Sequence, residues 1–200
     1  MSAPIEFFFD FSSPYGYLAS TRIEVIAAKY DRQVDWKPIL LGAVFKVSGA
    51  GPLTEVPLKG PYSRHDMARF TRLMQVPFAW PVVFPFSTIA ACRAFYFVQE
   101  TDPAAAVTLA KALYRAGLGE GGDIAAPEAV IVIARTIGLD ADKLAAGIQD
   151  PRIKQRLKEI TDDAISREIF GSPFIIVDGE PFWGADRLDQ VDRWLATGGW

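Results

Sequence analysis

Apolar and polar positions along the first forty residues predict a strand, a helix and a second strand. Residues 5–11 form a short apolar run of the length of a buried strand. Ser13 and Pro14 then suit the start of a helix, because serine caps free N–H groups and proline lacks one. An apolar stripe extends this predicted helix to Tyr30, and residues 34–40 alternate weakly as a strand. This order is typical of an α/β unit.

The middle of the chain is predicted to be helical. A Gly/Pro-rich stretch at 48–61 comes first and is long for a plain connection. Pro103, Pro127 and Pro151 each stand where a helix can begin. The predicted helices cover residues 62–74, 88–100, 103–116, 127–137, 141–149 and 151–169.

The end of the chain returns to β structure. Residues 174–177 are β-branched or aromatic, and Asp178 and Gly179 predict a tight turn into a second arm at 180–183. A last helix is predicted from Arg187. The two ends would share one mixed α/β sheet.

These patterns define the expected domain organisation. Residues 1–47 and 170–200 would form the sheet domain, residues 62–169 an inserted all-helical domain, and residues 48–61 the loop that connects them.

Composition narrows the function classes. The 200 residues are 50% hydrophobic, enough to bury a core without disulfides. With 21 basic and 24 acidic residues and no Lys/Arg block, nonspecific nucleic-acid binding is excluded. One cysteine, Cys92, and one histidine cannot form a disulfide or a four-ligand zinc site. No secretory signal and no membrane-spanning run are visible, so a cytoplasmic location is expected.

Ser13 is the first candidate for a catalytic residue. In thioredoxin-like proteins the first cysteine of a Cys-x-x-Cys pair stands at this strand-to-helix junction. Here the four positions from Ser13 to Gly16 carry no sulfur, which excludes dithiol–disulfide exchange. A hydroxyl that could hold the thiolate of another molecule remains. An ordinary helix cap fits the same residue.

Three segments together resemble one known family. They are residues 10–19 (DFSSPYGYLA), residues 170–174 (FGSPF) and residues 182–188 (FWGADRL). In this order and spacing the chain is similar to 2-hydroxychromene-2-carboxylate isomerases, relatives of kappa-class glutathione transferases and DsbA-type oxidoreductases. The resemblance runs essentially from end to end and implies a thioredoxin-like mixed sheet with an inserted helical domain.

The resemblance also implies glutathione as cofactor and a role for each matching residue. Ser13 would hydrogen-bond the sulfur, and the backbone of Ser172, before a cis Pro173, would pair with the cysteine of glutathione. Asp186 would meet the γ-glutamyl ammonium, and Lys59 the glycine carboxylate. No metal is implied.

Some of these positions depart from the family or have simpler explanations. Amides near Ala185 would take the γ-glutamyl carboxylate, but Ala185 and Ala50 replace polar residues of relatives, each at a cost of about 1 kcal/mol. Asp186 also fits a plain helix cap, and Lys59 a solvated side chain. The pair from Ser172 to Pro173 also fits an ordinary turn.

The function that the resemblance implies is reversible isomerisation of 2-hydroxychromene-2-carboxylate and trans-o-hydroxybenzylidenepyruvate in aromatic catabolism. A bound thiolate would add to the double bond of this small aromatic substrate, and rotation and elimination would follow. A homodimer is expected from relatives. Two alternatives stay open: a kappa-type glutathione transferase or peroxidase, and a non-catalytic binding protein on a degenerate thioredoxin scaffold.

Overall fold

The computed structural model describes residues 3–200, so the first two residues of the predicted segment 1–47 lie outside the described residues. Four strands form one mixed sheet in the order β2-β1-β3-β4. β1 is parallel to β2 and antiparallel to β3, and β3 and β4 form a hairpin. The strands are β1 (Ile5–Phe9), β2 (Val34–Pro38), β3 (Phe174–Val177) and β4 (Glu180–Trp183).

Most of the helices lie between β2 and β3 in sequence, as the pattern predicts. The helices are α1 (Pro14–Ser20), α2 (Ile23–Ala28), α3 (Leu41–Ser48), α4 (Lys59–Met74), α5 (Ile89–Gln99), α6 (Pro103–Tyr114), α7 (Pro127–Thr136), α8 (Ala141–Gln149), α9 (Pro151–Ser166) and α10 (Leu188–Thr197). Short 3₁₀ turns cover Leu53–Glu55 and Ala185–Arg187, and a π turn, Arg115–Gly119, follows α6.

Three details differ from the sequence prediction. The predicted single helix to Tyr30 is two helices, because Thr21 and Arg22 form a turn between α1 and α2. α3 was not predicted. α4 begins at Lys59, inside the stretch predicted as a connecting loop, and the 3₁₀ turn Leu53–Glu55 packs beside it.

Both faces of the sheet are covered by helices. On one face Phe7 and Phe9 stack at 5.1 Å, and both meet the indole of Trp36 edge-on. Phe9 also contacts Phe95 of α5 and Tyr114 of α6, so this core extends into the helical segment. On the other face a smaller cluster gathers around Phe8, and it contains Ile39, Val44, Ala164, Ile169 and Phe174.

Across residues 3–200, the structure has no helix that combines the length and the apolar character needed to cross a bilayer.

Candidate active site

Ser13 lies at the junction of β1 and α1, where it caps the helix. Its Oγ accepts a hydrogen bond from the N–H of Gly16 at 3.0 Å and donates one to the carbonyl oxygen of Ser172 at 2.8 Å. The residue is buried, and the cap fixes its side chain at the start of α1. The structure therefore shows Ser13 as a helix cap whose hydroxyl also binds Ser172. This geometry is compatible both with a plain cap and with a hydroxyl that holds a thiolate.

Ser172 precedes β3 and comes from the far end of the chain. Its peptide bond to Pro173 is cis. The Ser172 Oγ accepts a hydrogen bond from the N–H of Asp10 at 3.0 Å. The turn before β3 is thus joined to the end of β1 by two hydrogen bonds, and one of them comes from Ser13.

Asp10 is a site residue that the sequence prediction missed. Its side chain is buried, yet its Oδ1 accepts the N–H of Ser12 and its Oδ2 the N–H of Leu41, both at 2.8 Å. The Thr88 hydroxyl donates to Oδ2 at 3.3 Å. Burial raises the pKa of Asp10 to about 6, and the three hydrogen bonds oppose that rise. In the sequence, Asp10 interrupts the apolar run 5–11 and is the first residue of the segment 10–19 that carries the family resemblance.

These residues line a large cleft. The cleft has a volume of about 1130 Å³, and its wall comes from the junction of β1 and α1, from α1, α3, α4, the start of α5, β4 and the turn before β3, and from loop residues 50–54, 84–88 and those just after β4. Of the predicted site residues, Ser13, Ser172 and Asp186 line it, as does Ala50. Lys59, Pro173 and Ala185 do not.

The three predicted residues outside the cleft wall have different positions. Lys59 is exposed at the first turn of α4. Pro173 is buried, and its carbonyl accepts the N–H of Gly184 at 3.1 Å, which ties the turn before β3 to the end of β4. Ala185 is buried at the start of the last 3₁₀ turn.

Charged groups in the cleft lining have both signs. The Asp186 carboxylate is about half exposed, and Arg187 lies near it at 3.8 Å. Lys46 of α3 supplies a second cation to the lining. Neither cation was singled out from the sequence. A ligand that carries carboxylates and an ammonium group would find a partner for each in this cleft.

Tyr15 and Tyr17 differ in their relation to the cleft. Tyr15 lines it and donates to the carboxylate of Asp66 on α4 at 2.7 Å, and Asp66 also pairs with Arg69. Burial and the Asp66 carboxylate raise the pKa of Tyr15, so its phenol stays neutral. Tyr17 is buried and donates to the carbonyl of Pro77 at 2.9 Å, away from the lining.

Aromatic side chains form another part of the wall. Phe170 and Trp183 are both partly exposed, with ring centres 4.9 Å apart, and both lie within the segments that carry the family resemblance. Phe84 and Phe86, from the segment between α4 and α5, also line the cleft. The cleft can therefore hold an aromatic ring beside a polar ligand.

The chain brings no thiol of its own to this site. Its one cysteine, Cys92, is buried in α5, and burial raises the pKa of its thiol well above the usual value. Among residues 3–200 no group of three or more His, Cys, Asp or Glu side chains is arranged to hold a metal ion. The polar groups present at the site can donate hydrogen bonds and hold charge.

The mixed sheet and the serine-capped helix that follows its first strand define a thioredoxin-type protein. The family model for the DSBA-like thioredoxin domain matches residues 4–196. A 2-hydroxychromene-2-carboxylate isomerase of Sphingobium xenophagum is 31% identical, covering 98% of this chain and 99% of the relative. The chain belongs to the DSBA-like thioredoxin family, among the relatives of 2-hydroxychromene-2-carboxylate isomerases and kappa-class glutathione transferases.

Two further comparisons support the same family membership. Human glutathione S-transferase kappa 1 is 26% identical over 96% of this chain and 92% of its own length. A solved structure of 2-hydroxychromene-2-carboxylate isomerase superposes with a TM-score of 0.86 at 26% identity, covering 97% of this chain and 95% of that one. These comparisons confirm the family resemblance inferred from the three sequence segments. They also confirm the thioredoxin-like fold class. These named relatives are enzymes, which supports an enzymatic role for this chain.

Proposed function

We propose that this protein is a glutathione-dependent isomerase that interconverts 2-hydroxychromene-2-carboxylate and trans-o-hydroxybenzylidenepyruvate. The observation that carries the proposal is the position of Ser13, a buried hydroxyl in the lining of a cleft to which the chain brings no thiol. The relatives named as isomerases and as glutathione transferases support the reaction and the cofactor.

The cleft fits glutathione by charge and by hydrogen bonding. Asp186 offers a half-exposed carboxylate for the ammonium group, and Lys46 and Arg187 offer cations for carboxylates. The turn at Ser172 offers a backbone edge beside Ser13. Lys59 remains a proposed partner of the glycine carboxylate, and its exposed side chain would have to turn toward the cleft. Ala50 in the lining provides no side-chain hydrogen bond, which lowers the expected affinity.

Bound glutathione would supply a thiolate that adds reversibly to the activated double bond of the substrate, so that the bond can rotate before elimination. Ser13 has a single hydrogen to donate, and in this structure the carbonyl of Ser172 accepts it. Rotation about the Cβ–Oγ bond redirects that hydrogen to a sulfur while Oγ continues to accept from Gly16. The freed Ser172 carbonyl can then accept an N–H from the ligand.

The remaining wall of the cleft would bind the aromatic substrate. Phe170, Trp183, Phe84 and Phe86 provide apolar surface for a ring. Enclosure between these rings and the polar residues of the lining would limit access of water to the reacting carbon atoms. A homodimer, a cytoplasmic location and the division into two domains remain predictions.

The substitution Ser13→Ala tests the proposal. We expect it to lower glutathione-dependent isomerisation by about 10²-fold or more, because removal of an oxyanion-type donor has that effect in other enzymes. The matched control is Ser20→Ala in the same helix, since Ser20 is also buried and its hydroxyl donates to the carbonyl of Tyr17 at 2.6 Å. A rate unaffected by Ser13→Ala, or turnover at full rate without glutathione, would contradict the proposal.

The similarity to human glutathione S-transferase kappa 1 favours a second candidate, conjugation or peroxide reduction at the same site. Both reactions need the same thiolate and the same Ser13 hydroxyl. Assays with a chloronitroarene and with an organic peroxide distinguish these reactions from isomerisation. Glutathione binding without turnover of any of these substrates would favour a binding protein instead.

A further inference from the structure

Asp10 is hydrogen-bonded to several of the segments that surround the candidate active site. Its carboxylate accepts the N–H of Ser12 before α1 and the N–H of Leu41 at the start of α3. Its own N–H donates to the Ser172 Oγ. Its carbonyl accepts the N–H of Ser13 at 2.9 Å and the hydroxyl of Tyr114 at 2.9 Å.

We propose that ionised Asp10 is the positioning residue of this cleft, and that protonation of its carboxyl group releases α3 and weakens glutathione binding. The carboxylate links the segment that leads into α1 to the start of α3, because one oxygen accepts the N–H of Ser12, just before α1, and the other accepts the N–H of Leu41 in α3. α3 contributes Leu41, Gly42 and Lys46 to the cleft wall. This inference rests on the proposed function for its ligand, while the link between the two helices can be measured without one.

The loss on protonation follows from what each oxygen can accept. Two N–H groups face the carboxylate, so both oxygens are used as acceptors. A proton on Oδ2 makes that oxygen a poorer acceptor for the N–H of Leu41. The Thr88 hydroxyl, 3.3 Å from Oδ2, can rotate and accept the new O–H, so the protonated form has a partner.

Among residues 3–200, Asp10 has no ion pair and no charged hydrogen-bond partner. From α5 it is faced by Thr88 and by the thiol of Cys92, and from α6 by the phenol of Tyr114. Burial raises the pKa values of Cys92 and Tyr114 well above their usual values, so both stay neutral in the range where Asp10 titrates. The pKa of Asp10, raised to about 6 by burial, places its change of state in the physiological range.

The first measurement uses the free protein. In ¹H–¹⁵N spectra of the full chain we expect the amide resonances of Ser12 and Leu41 to shift together with a midpoint near pH 6. The substitution Asp10→Asn should abolish that titration, because an amide side chain keeps one acceptor oxygen and does not ionise. Cys92→Ala, a change in the same buried region that leaves the carboxylate intact, should retain the titration.

The second measurement is calorimetry with reduced glutathione from pH 5 to pH 8. For the wild type and for Cys92→Ala we expect the dissociation constant to rise about tenfold as the pH falls through 6, the effect of losing about one charge-assisted hydrogen bond. Asp10→Asn should bind about tenfold more weakly at pH 8, with little further change at lower pH.

The two measurements distinguish failure of the inference about Asp10 from failure of the proposed function. Amides of Ser12 and Leu41 that do not titrate, or Asp10→Asn binding with the wild-type affinity and pH profile, would overturn the role of Asp10. Absence of glutathione binding by the wild type at any pH would overturn the proposed function together with the ligand part of this inference. The amide titration would then still decide whether Asp10 links α1 to α3.

Discussion

Gly16 shows how closely the site is packed at the scale of one residue. A Cβ built on this helical glycine would lie 2.7 Å from the Oγ of Ser172 and 2.7 Å from the hydroxyl oxygen of Tyr114. Both oxygens bind the backbone of Asp10. The glycine is therefore required by the close approach of three segments, although glycine weakens a helix by its own propensity.

Gly16→Ala should destabilise the fold by about 1–3 kcal/mol, because the added methyl group has to displace Ser172 or Tyr114. The matched control is Gly42→Ala in α3, where a new Cβ meets nothing within 4 Å. That change should instead stabilise the protein by about 0.5 kcal/mol through helix propensity. Urea unfolding of the two variants measures the difference, and destabilisation by both or stabilisation by both would contradict this account.

The helix start at Ser13 could be predicted from neighbouring residues, whereas the role of Asp10 could not. Ser13 and Pro14 form a helix start in any context, so the cap was visible in the sequence. The bonds of Asp10 go to residues up to 162 positions away, and no local pattern encodes them. Cations such as Lys46 face the cleft only because of the orientation of α3.

At the scale of elements, α3 could not be predicted because the group that stabilises its start is distant in sequence. Leu40 precedes this helix and offers no side-chain cap. The N–H of Leu41 is instead bound by the carboxylate of Asp10 from the end of β1. The hairpin of β3 and β4 was predicted with its observed bounds because Asp178 and Gly179, which encode the turn, are adjacent in sequence.

Glu6 is an ion-pair centre that ties α9 to the sheet. Arg167, just after α9, reaches Glu6 of β1 at 2.5 Å, and Lys37 of β2 reaches it at 2.5 Å. The hydrogen bond from Arg167 is the largest cause that lowers the pKa of Glu6 to about 2, with Lys37 adding to the effect. Because the pKa is lower in the folded state, the stability from Glu6 is present above about pH 4.5 and lost as the pH falls toward 2.

Glu6→Gln should therefore lower the free energy of unfolding at pH 7 by about 1 kcal/mol, a value reduced for partial exposure of the pair. The difference from the wild type should shrink steadily between pH 5 and pH 3, and it should be smaller in 1 M salt. Glu180→Gln, an exposed residue of the same sheet, serves as the control in denaturant titrations. A difference that is independent of pH would show that the ion pairs do not cause it.

At the scale of the whole molecule, one core crosses the predicted boundary between sheet and helical segment. Phe9 of β1 lies 6.2 Å from the ring of Phe95 and 5.6 Å from that of Tyr114, and all three are fully buried. The Tyr96 hydroxyl of α5 donates to the carbonyl of Pro38 in β2 at 2.7 Å. Chain order predicted an insertion between strands, but periodicity alone could not reveal that the inserted helices complete the core of the sheet.

This shared core predicts a single cooperative unfolding transition for residues on both sides of the boundary. Far-UV circular dichroism reports mainly on the helices of the middle segment. Tryptophan fluorescence reports mainly on the predicted sheet domain, because Trp36, Trp183, Trp194 and Trp200 belong to it and only Trp80 lies in the helical segment. The two signals should share one midpoint in denaturant.

Phe95→Ala, a change within the helical segment, should lower both midpoints together at a cost of about 3–5 kcal/mol. Two separate midpoints, or a Phe95→Ala effect confined to the circular dichroism signal, would mean that the segments fold as independent domains.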